Sequence, residues 1–412
     1  MAARVTRLAW IFALGASTVL SRAADPFSVN AQTTSGSSQA VTASGSSLPD
    51  LVSNLIKSQS QFAPLADRNI SAGLRYGNVN NAIVITRNST GTSATVSIPS
   101  IDFQKNFTAG NSHDLNKQVE DFARKNGAST YGRFIRSIDQ QSDLGLIDGN
   151  PLAATSLLAG QAYHQFGLLP EPFQPGQRRP DPLDQVAVPR LSFDLGGGAT
   201  HSATGNGTFG RGEFSFGLRF GDRIGLAFTT PFLYREIGGA NSFEAGEEIS
   251  LPILLLPPKG DRTFSWLLTP TASGGAAGSL DMASGGTFIG GSITSSLSYQ
   301  LSGFVFTLAD HFSYFHGLSV GGGQYKLDTD LEQELFKNGV KITRFFGNSL
   351  FIDAGVTYTN SLQRAAVKEY WSPEAGVGYR FSENAGLRIG YAGDFGPGFV
   401  VNGGSAQFYF NY

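Results

Sequence analysis

Residues 212–235 read GEFSFGLRFGDRIGLAFTTPFLYR. Phe214, Phe216, Leu218 and Phe220 recur at every second position, with Glu213, Ser215, Gly217 and Arg219 between them. A period of two places the four apolar side chains on one face of a β-strand and the polar or small ones on the other. Phe220-Gly221-Asp222-Arg223 is a tight turn, and a second alternating strand follows it at once.

The same pattern extends through the C-terminal half. Ile249, Leu251, Ile253 and Leu255 alternate with Glu248, Ser250 and Pro252; Leu350, Ile352, Ala354 and Val356 alternate with Phe351, Asp353, Gly355 and Thr357. Val377, Tyr379 and Phe381, and then Leu387, Ile389 and Tyr391, repeat it against glycines and arginines. About twelve strands are expected between 190 and 412, an even number as single-chain bacterial barrels have. Short breaks at 220–223, 258–261, 300–303, 346–349 and 382–385 are interleaved with longer Gly-rich ones such as 276–286 and 317–323. The fold class expected is an all-β, transmembrane, antiparallel up-and-down barrel. Lipid offers no hydrogen-bond partners, so every strand must be paired and the sheet must close. A soluble β-sandwich would also alternate, with its apolar face in a dry interior.

Composition narrows the classes. The chain has 412 residues, a formal net charge of -2 and no cysteine. Nucleic-acid binding by charge, a disulfide framework and thiolate chemistry are therefore not expected. Residues 1–24 resemble a secretory signal peptide: Arg4 and Arg7 precede the apolar run 8–20, and Ser21-Arg22-Ala23-Ala24 offers small residues for cleavage. Residues 25–47, rich in Ser, Thr, Gly and Ala, read as a flexible linker. Residues 48–169 read as a small α/β domain. Helical spacing is seen at Leu51, Leu55 and Ile56, and strands at 70–76, 82–87 and 94–98. A helix is expected over 113–126 and stopped by Gly127, with further helices over 131–141 and 153–165. Six prolines mark 170–189 as an extended linker before the barrel, 190–412.

Several constellations bear on function. Asp328, Asp330, Glu332 and Glu334 share one face of the eighth strand. Such a row is expected to face the lumen, there to be paired with Arg219, Arg380 and Arg388 or to set cation preference. Asp310, His311, Ser313 and His316 cluster in the seventh strand; a nucleophile–base pair is the sharper reading, a polar strand edge the plainer one. Asp310 falls on the lipid side in this register, which suggests a bulge. The glycine runs at 196–198 and 321–323 lack a phosphate-binding lysine. No cofactor, metal site or enzymatic activity is expected.

At the C-terminus Phe408, Phe410 and Tyr412 alternate with Gln407, Tyr409 and Asn411. This ending resembles that of bacterial outer-membrane β-barrel proteins as a class. The resemblance implies outer-membrane lipid, the barrel assembly machinery and periplasmic chaperones as partners. The domain order is also similar to autotransporters, whose barrel carries its own N-terminal domain to the cell surface, although the proline-rich 170–189 stands where those proteins thread a helix. The expected function is a narrow solute channel or envelope structural protein with its N-terminal domain in the periplasm. The alternative is export or display of that domain, and a barrel-embedded hydrolase is a third reading.

Overall fold

The computed structural model describes residues 25–35, 39–168, 191–256, 264–301, 303–318, 331–347, 349–382 and 385–410, without the side chains of 123–129 and 131. The signal-peptide stretch, the proline-rich linker, Asp328, Asp330 and Tyr412 lie outside the described residues.

The N-terminal lobe is built on a six-stranded antiparallel sheet. Its strands are β1 (Phe27–Thr33), β2 (Ala40–Gly45), β3 (Ile70–Tyr76), β4 (Val79–Arg87), β5 (Ser93–Ile98) and β6 (Phe103–Thr108), in the order β2-β1-β3-β4-β5-β6. The stretch read from sequence as a flexible linker, 25–47, therefore holds two paired strands, Phe27–Thr33 and Ala40–Gly45. β1 lies centrally, paired with both β2 and β3. Phe27, Ala31 and Ala43 are buried, and Ser, Thr and Val between them suit a pleated, half-buried surface. Helix α1 (Leu48–Lys57) starts at Ser47, whose hydroxyl accepts from the Asp50 amide at 3.1 Å. Helix α2 runs unbroken over Ser112–Asp139, through the expected stop at Gly127. One interior glycine costs only about 1 kcal/mol. The apolar clusters at the two ends of α2, Leu115 with Ala94 and Phe107, and Phe134, Ile135 and Ile138 with Phe27 and Tyr76, offset that cost.

The barrel comprises β7 (Leu191–Ser202), β8 (Asn206–Phe220), β9 (Ile224–Ile237), β10 (Ala240–Ser250), β11 (Ile253–Leu256), β12 (Phe264–Ser279), β13 (Ser284–Leu301), β14 (Phe304–Leu318), β15 (Glu332–Phe346), β16 (Leu350–Ser361), β17 (Glu369–Ser382), β18 (Ala385–Gly396) and β19 (Phe399–Phe410). β10 and β11 are two halves of one barrel strand, both pairing with β9 and β12 and separated at Pro252, which has no N–H to donate. Each strand pairs with its sequence neighbour. The seam between β19 and β7, from Phe399 opposite Ser202 to Phe410 opposite Leu191, closes the sheet at twelve strands. The 276–286 stretch, read from sequence as a long loop, is mostly strand: only 280–283 turn.

The outer wall is apolar. Phe214, Phe216, Leu218 and Phe220 all point outward at 41–56% exposure, and Phe193, Phe306, Phe312, Ile342, Ile352, Val377, Tyr379, Phe408 and Phe410 are exposed on the same outer face. Facing inward and buried are Ser192, Ser215, Thr229, Ser250, Thr269, Ser296, Thr307 and Thr357. Apolar-out and polar-in is the inverse of a soluble core, and it is stable only where the outer wall meets lipid. No described helix is long and apolar enough to cross a membrane; this chain crosses with strands.

Both chain ends of the barrel lie at one end, here the base, with the turn 221–223. The opposite end, the rim, carries 203–205, 238–239, 280–283, 362–368 and 397–398. The lobe sits on the rim. The Leu48 amide donates to Asp281 O at 2.7 Å, Tyr76 Oη to Met282 O at 3.1 Å, the Thr204 amide to Asp143 Oδ2 at 2.7 Å, and the Val367 amide to Gly149 O at 2.8 Å. One core spans the junction: Tyr76, Phe134, Leu144 and Leu146 of the lobe pack with Phe209, Leu233, Ile237, Phe288, Phe315 and Phe399 of the barrel.

Candidate functional site

A helix occupies the lumen. Helix α3 (Ala154–Phe166) leaves the lobe at the rim and descends inside the barrel. Leu158 meets Gly246 and Gly275 in the upper half, whereas Phe166 packs with Ala227, Leu254 and Leu267 near the base. Its 13 residues rise about 20 Å. Sequence reading found this helix to within a residue but assigned it to the soluble domain. Its composition explains the placement. Leu158, Ala159, Ala162, Tyr163 and Phe166 are buried against the wall of β9 to β15, while Leu157, Gly160, Gln161 and His164 form the open stripe.

The ends of α3 are satisfied by its surroundings. Ala153 gives no side-chain cap. The Ala154 and Thr155 amides instead donate to Leu146 O and Ile147 O at 2.9 and 3.0 Å, so the preceding loop supplies the missing acceptors. At the base Ser296 Oγ donates to Gly167 O at 2.5 Å. Thr357 donates to the Tyr163 hydroxyl at 3.4 Å, and Thr229 to Gln165 Oε1 at 3.0 Å.

Beside the open stripe lies a crevice of about 140 Å³, lined among others by Arg211, Lys337, Lys341, Glu374, Arg388 and Asp394. Three of these charges, on Lys341, Glu374 and Arg388, are paired across strands. Arg388 grips Asp353 with Nε and Nη2 at 2.9 and 2.6 Å; Lys341 bridges Asp353 at 3.6 Å and Glu374 at 3.3 Å; His164 Nδ1 of the helix sits 3.5 Å from Glu374. The bidentate geometry makes the arginine pair the firmest contact of the set. The crevice is smaller than the 300 Å³ or more of typical ligand pockets.

At the rim, Arg235 of β9 is fully buried and holds the lobe. Its Nε bonds Ser242 Oγ at 3.0 Å and lies 3.1 Å from Glu244; Nη1 donates to Asn150 Oδ1 at 3.2 Å, and Nη2 reaches Leu144 O and Gly145 O. Asp139, at the end of α2 below this clamp, accepts from the Leu146 amide at 3.1 Å. Burial pushes its carboxyl up to about 7 from 3.8, against the pull of that amide and of Arg235. A carboxyl raised in the folded state stabilises fully below its unfolded value and less as pH climbs to its folded one. Stability of the lobe–barrel junction should therefore fall between about pH 4 and pH 7, by up to roughly 4 kcal/mol. Asp139→Asn should flatten that slope in urea unfolding followed against pH; an unchanged slope would contradict the assignment to Asp139.

The residues singled out from sequence are dispersed. Glu332 and Glu334 face outward, alternating with buried Gln333 and Leu335, so the lumenal acidic row is corrected at these two positions. The reason is local. Near the rim the lumen is filled by the lobe's apolar core, which takes Leu331 and Leu335 inward and sends the acids out. Lys337 and Lys341 then point inward. Arg388 lies in the crevice; Arg219 and Arg380 lie at the base ends of β8 and β17. His311 and Ser313 are buried and inward, but His311 Nδ1 engages Thr294 at 2.8 Å rather than Ser313, and exposed His316 points outward. No bulge occurs at Asp310. The register with β13 and β15 is continuous, and Asn338, directly opposite, donates to its carboxylate. Among the described residues no group of three His, Asp or Glu side chains is placed to hold a metal. Lys341, Asp353 and Glu374 had only the period-two rule as a signal, and Arg235 had none.

No family model matches this chain, and no curated relative matches it. Among solved structures, the chain is similar to the β domain of the Bordetella autotransporter Brka (10% identity, 55% of this chain and 100% of that one, TM-score 0.42). It is also similar to the translocator domain of the autotransporter NalP from Neisseria meningitidis (11%, 56% and 91%, 0.39) and to an outer-membrane channel from Pseudomonas putida (11%, 56% and 100%, 0.40). This chain is an outer-membrane-type β-barrel. Its strand pairing, its closed seam and its apolar outer wall make it one.

Proposed function

We propose that the barrel holds its own N-terminal lobe on the outer face of the membrane, in the manner of an autotransporter, with its lumen closed by the connecting helix. One observation carries this reading: the lobe is seated on the rim while both barrel termini lie at the base, so the chain passes through the pore. Barrels of this kind turn briefly on the periplasmic side and carry their longer connections outside. Here 362–368 is at the rim. The periplasmic placement favoured by the sequence alone would need the opposite orientation. The outward Phe408 and Phe410 fit recognition by the barrel assembly machinery and its chaperones. A second reading, a narrow solute channel, is favoured by the ion-lined crevice and requires α3 to leave the lumen. We assign the barrel no catalytic role.

The absence of cysteine makes the test direct. Lys105→Cys, on the exposed edge of the lobe, should react with a membrane-impermeant maleimide in intact cells. Asp222→Cys, in a base turn, should react only after the outer membrane is permeabilised. The reverse labelling pattern would place the lobe in the periplasm and end the proposal.

A further inference from the structure

We infer that the lumen contains a binding site for a hard divalent cation, calcium in the first instance, between Glu213 of β8 and Glu248 of β10. Both side chains project into the barrel between its wall and helix α3. Glu248 is 2% exposed and lies directly opposite Thr229, which in turn lies opposite Ser215. A chain of short oxygen contacts links Glu213 to the helix, and Glu248 lies beside it in register, opposite Thr229. Ser215 Oγ is 2.7 Å from Glu213 Oε1, Ser215 and Thr229 hydroxyls are 3.0 Å apart, and Thr229 Oγ1 is 3.0 Å from Gln165 Oε1.

The proton count does not close. Those three contacts join four oxygens, and only the two hydroxyls bring a proton. Turning the Gln165 amide over supplies the missing donor and puts its carbonyl oxygen where Nε2 now stands buried and without a partner. Glu248 Oε2 is buried with no hydrogen-bond partner, and Glu213 lies on the same inward face, two residues along β8 from Ser215, which pairs with the Thr229 opposite Glu248. Among the described residues no lysine or arginine forms an ion pair with either carboxylate. A carboxylate as deeply buried as Glu248, with no partner for Oε2 and a second, half-buried acid on the same inward face, demands positive charge. Calcium accepts a loose set of carboxylates, hydroxyl or amide oxygens and water, where magnesium requires near-ideal octahedral geometry, so two carboxylates completed by Ser215, Thr229 and Gln165 suit it. Because Gln165 belongs to α3, the ion would also tie the plug to the wall. This inference concerns the lumen alone and stands whichever side of the membrane the lobe occupies.

Calcium titrated calorimetrically into the full-length protein in detergent should bind saturably, and its unfolding temperature should be higher in calcium chloride than in EDTA. Glu248→Gln and, separately, Glu213→Gln should weaken that binding at least tenfold and abolish the temperature difference. Glu247→Gln, on the outward face one residue away, should leave both intact. If either inward variant fails to fold, the other and the wild-type titration still decide. Absence of saturable uptake by the wild type, or uptake undiminished in either inward variant, would overturn the site; the former outcome would leave the pair sharing a proton.

Discussion

Removing residues 25–168 should turn a nearly silent barrel into a conducting one. With α3 in place the lumen retains only the paired-charge crevice of about 140 Å³, and the rim above is sealed by the shared apolar core. A helix with its side chains is about 10 Å across, comparable to the interior of a narrow barrel. Without it, single-channel conductance in planar bilayers should rise by about tenfold or more. The wall should survive the deletion, since the pairing of all twelve strands and the β19–β7 seam lies within 191–410. Equal conductance from the full-length and truncated proteins would show that the helix does not plug the pore. It would favour the channel reading in which α3 leaves the lumen spontaneously.

Replacing Arg235 by alanine should be the most damaging single change at the rim. The guanidinium serves Ser242, Asn150, two loop carbonyls and Glu244, with both charged side chains fully buried. Truncation strands Glu244 as an uncompensated buried charge and takes a donor from Leu144 O, while Gly145 O keeps only the Asn150 side-chain amide, a loss of about 3–5 kcal/mol. Urea unfolding should register it, together with easier proteolysis of the 142–153 loop. Arg235→Met with Glu244→Leu should cost much less than Arg235→Ala alone, because no charge is left without its partner. If the double variant were as unstable as the single one, the clamp would owe its value to the loop contacts rather than to the ion pair.

The barrel was legible because lipid enforces a strict rule on every strand. Phe214 to Phe220 and Val377 to Phe381 obey it and were placed correctly. The rule failed where lipid no longer governs. At Leu331 to Leu335 the inward neighbour is the lobe, so apolar residues turn in and acids turn out. The Gly-rich 276–286 reads as a loop because a strand that packs few side chains lacks alternation to count. The serine-rich 25–47 read as linker for want of bulky residues, yet Phe27, buried against Tyr76 with ring centroids 5.0 Å apart, is enough to fix the paired strands. The lumenal network was out of reach for another reason. Asp353, Glu374, Lys341 and Arg388 come from four different strands, and the contact of His164 with Glu374 spans helix and wall; local pattern carries no such information.

The passage of one polypeptide from rim to base through a ring of hydrogen-bonded strands also constrains the order of events in biogenesis. A folded six-stranded lobe is far wider than an opening that a single helix nearly fills. Either residues 25–152 cross in an unfolded state before β1 to β6 pair, or β7 and β19 zip together only after the segment 153–168 has been laid between them. In both routes the last step traps the thread, and the finished molecule cannot be dismantled by undocking; it must unravel.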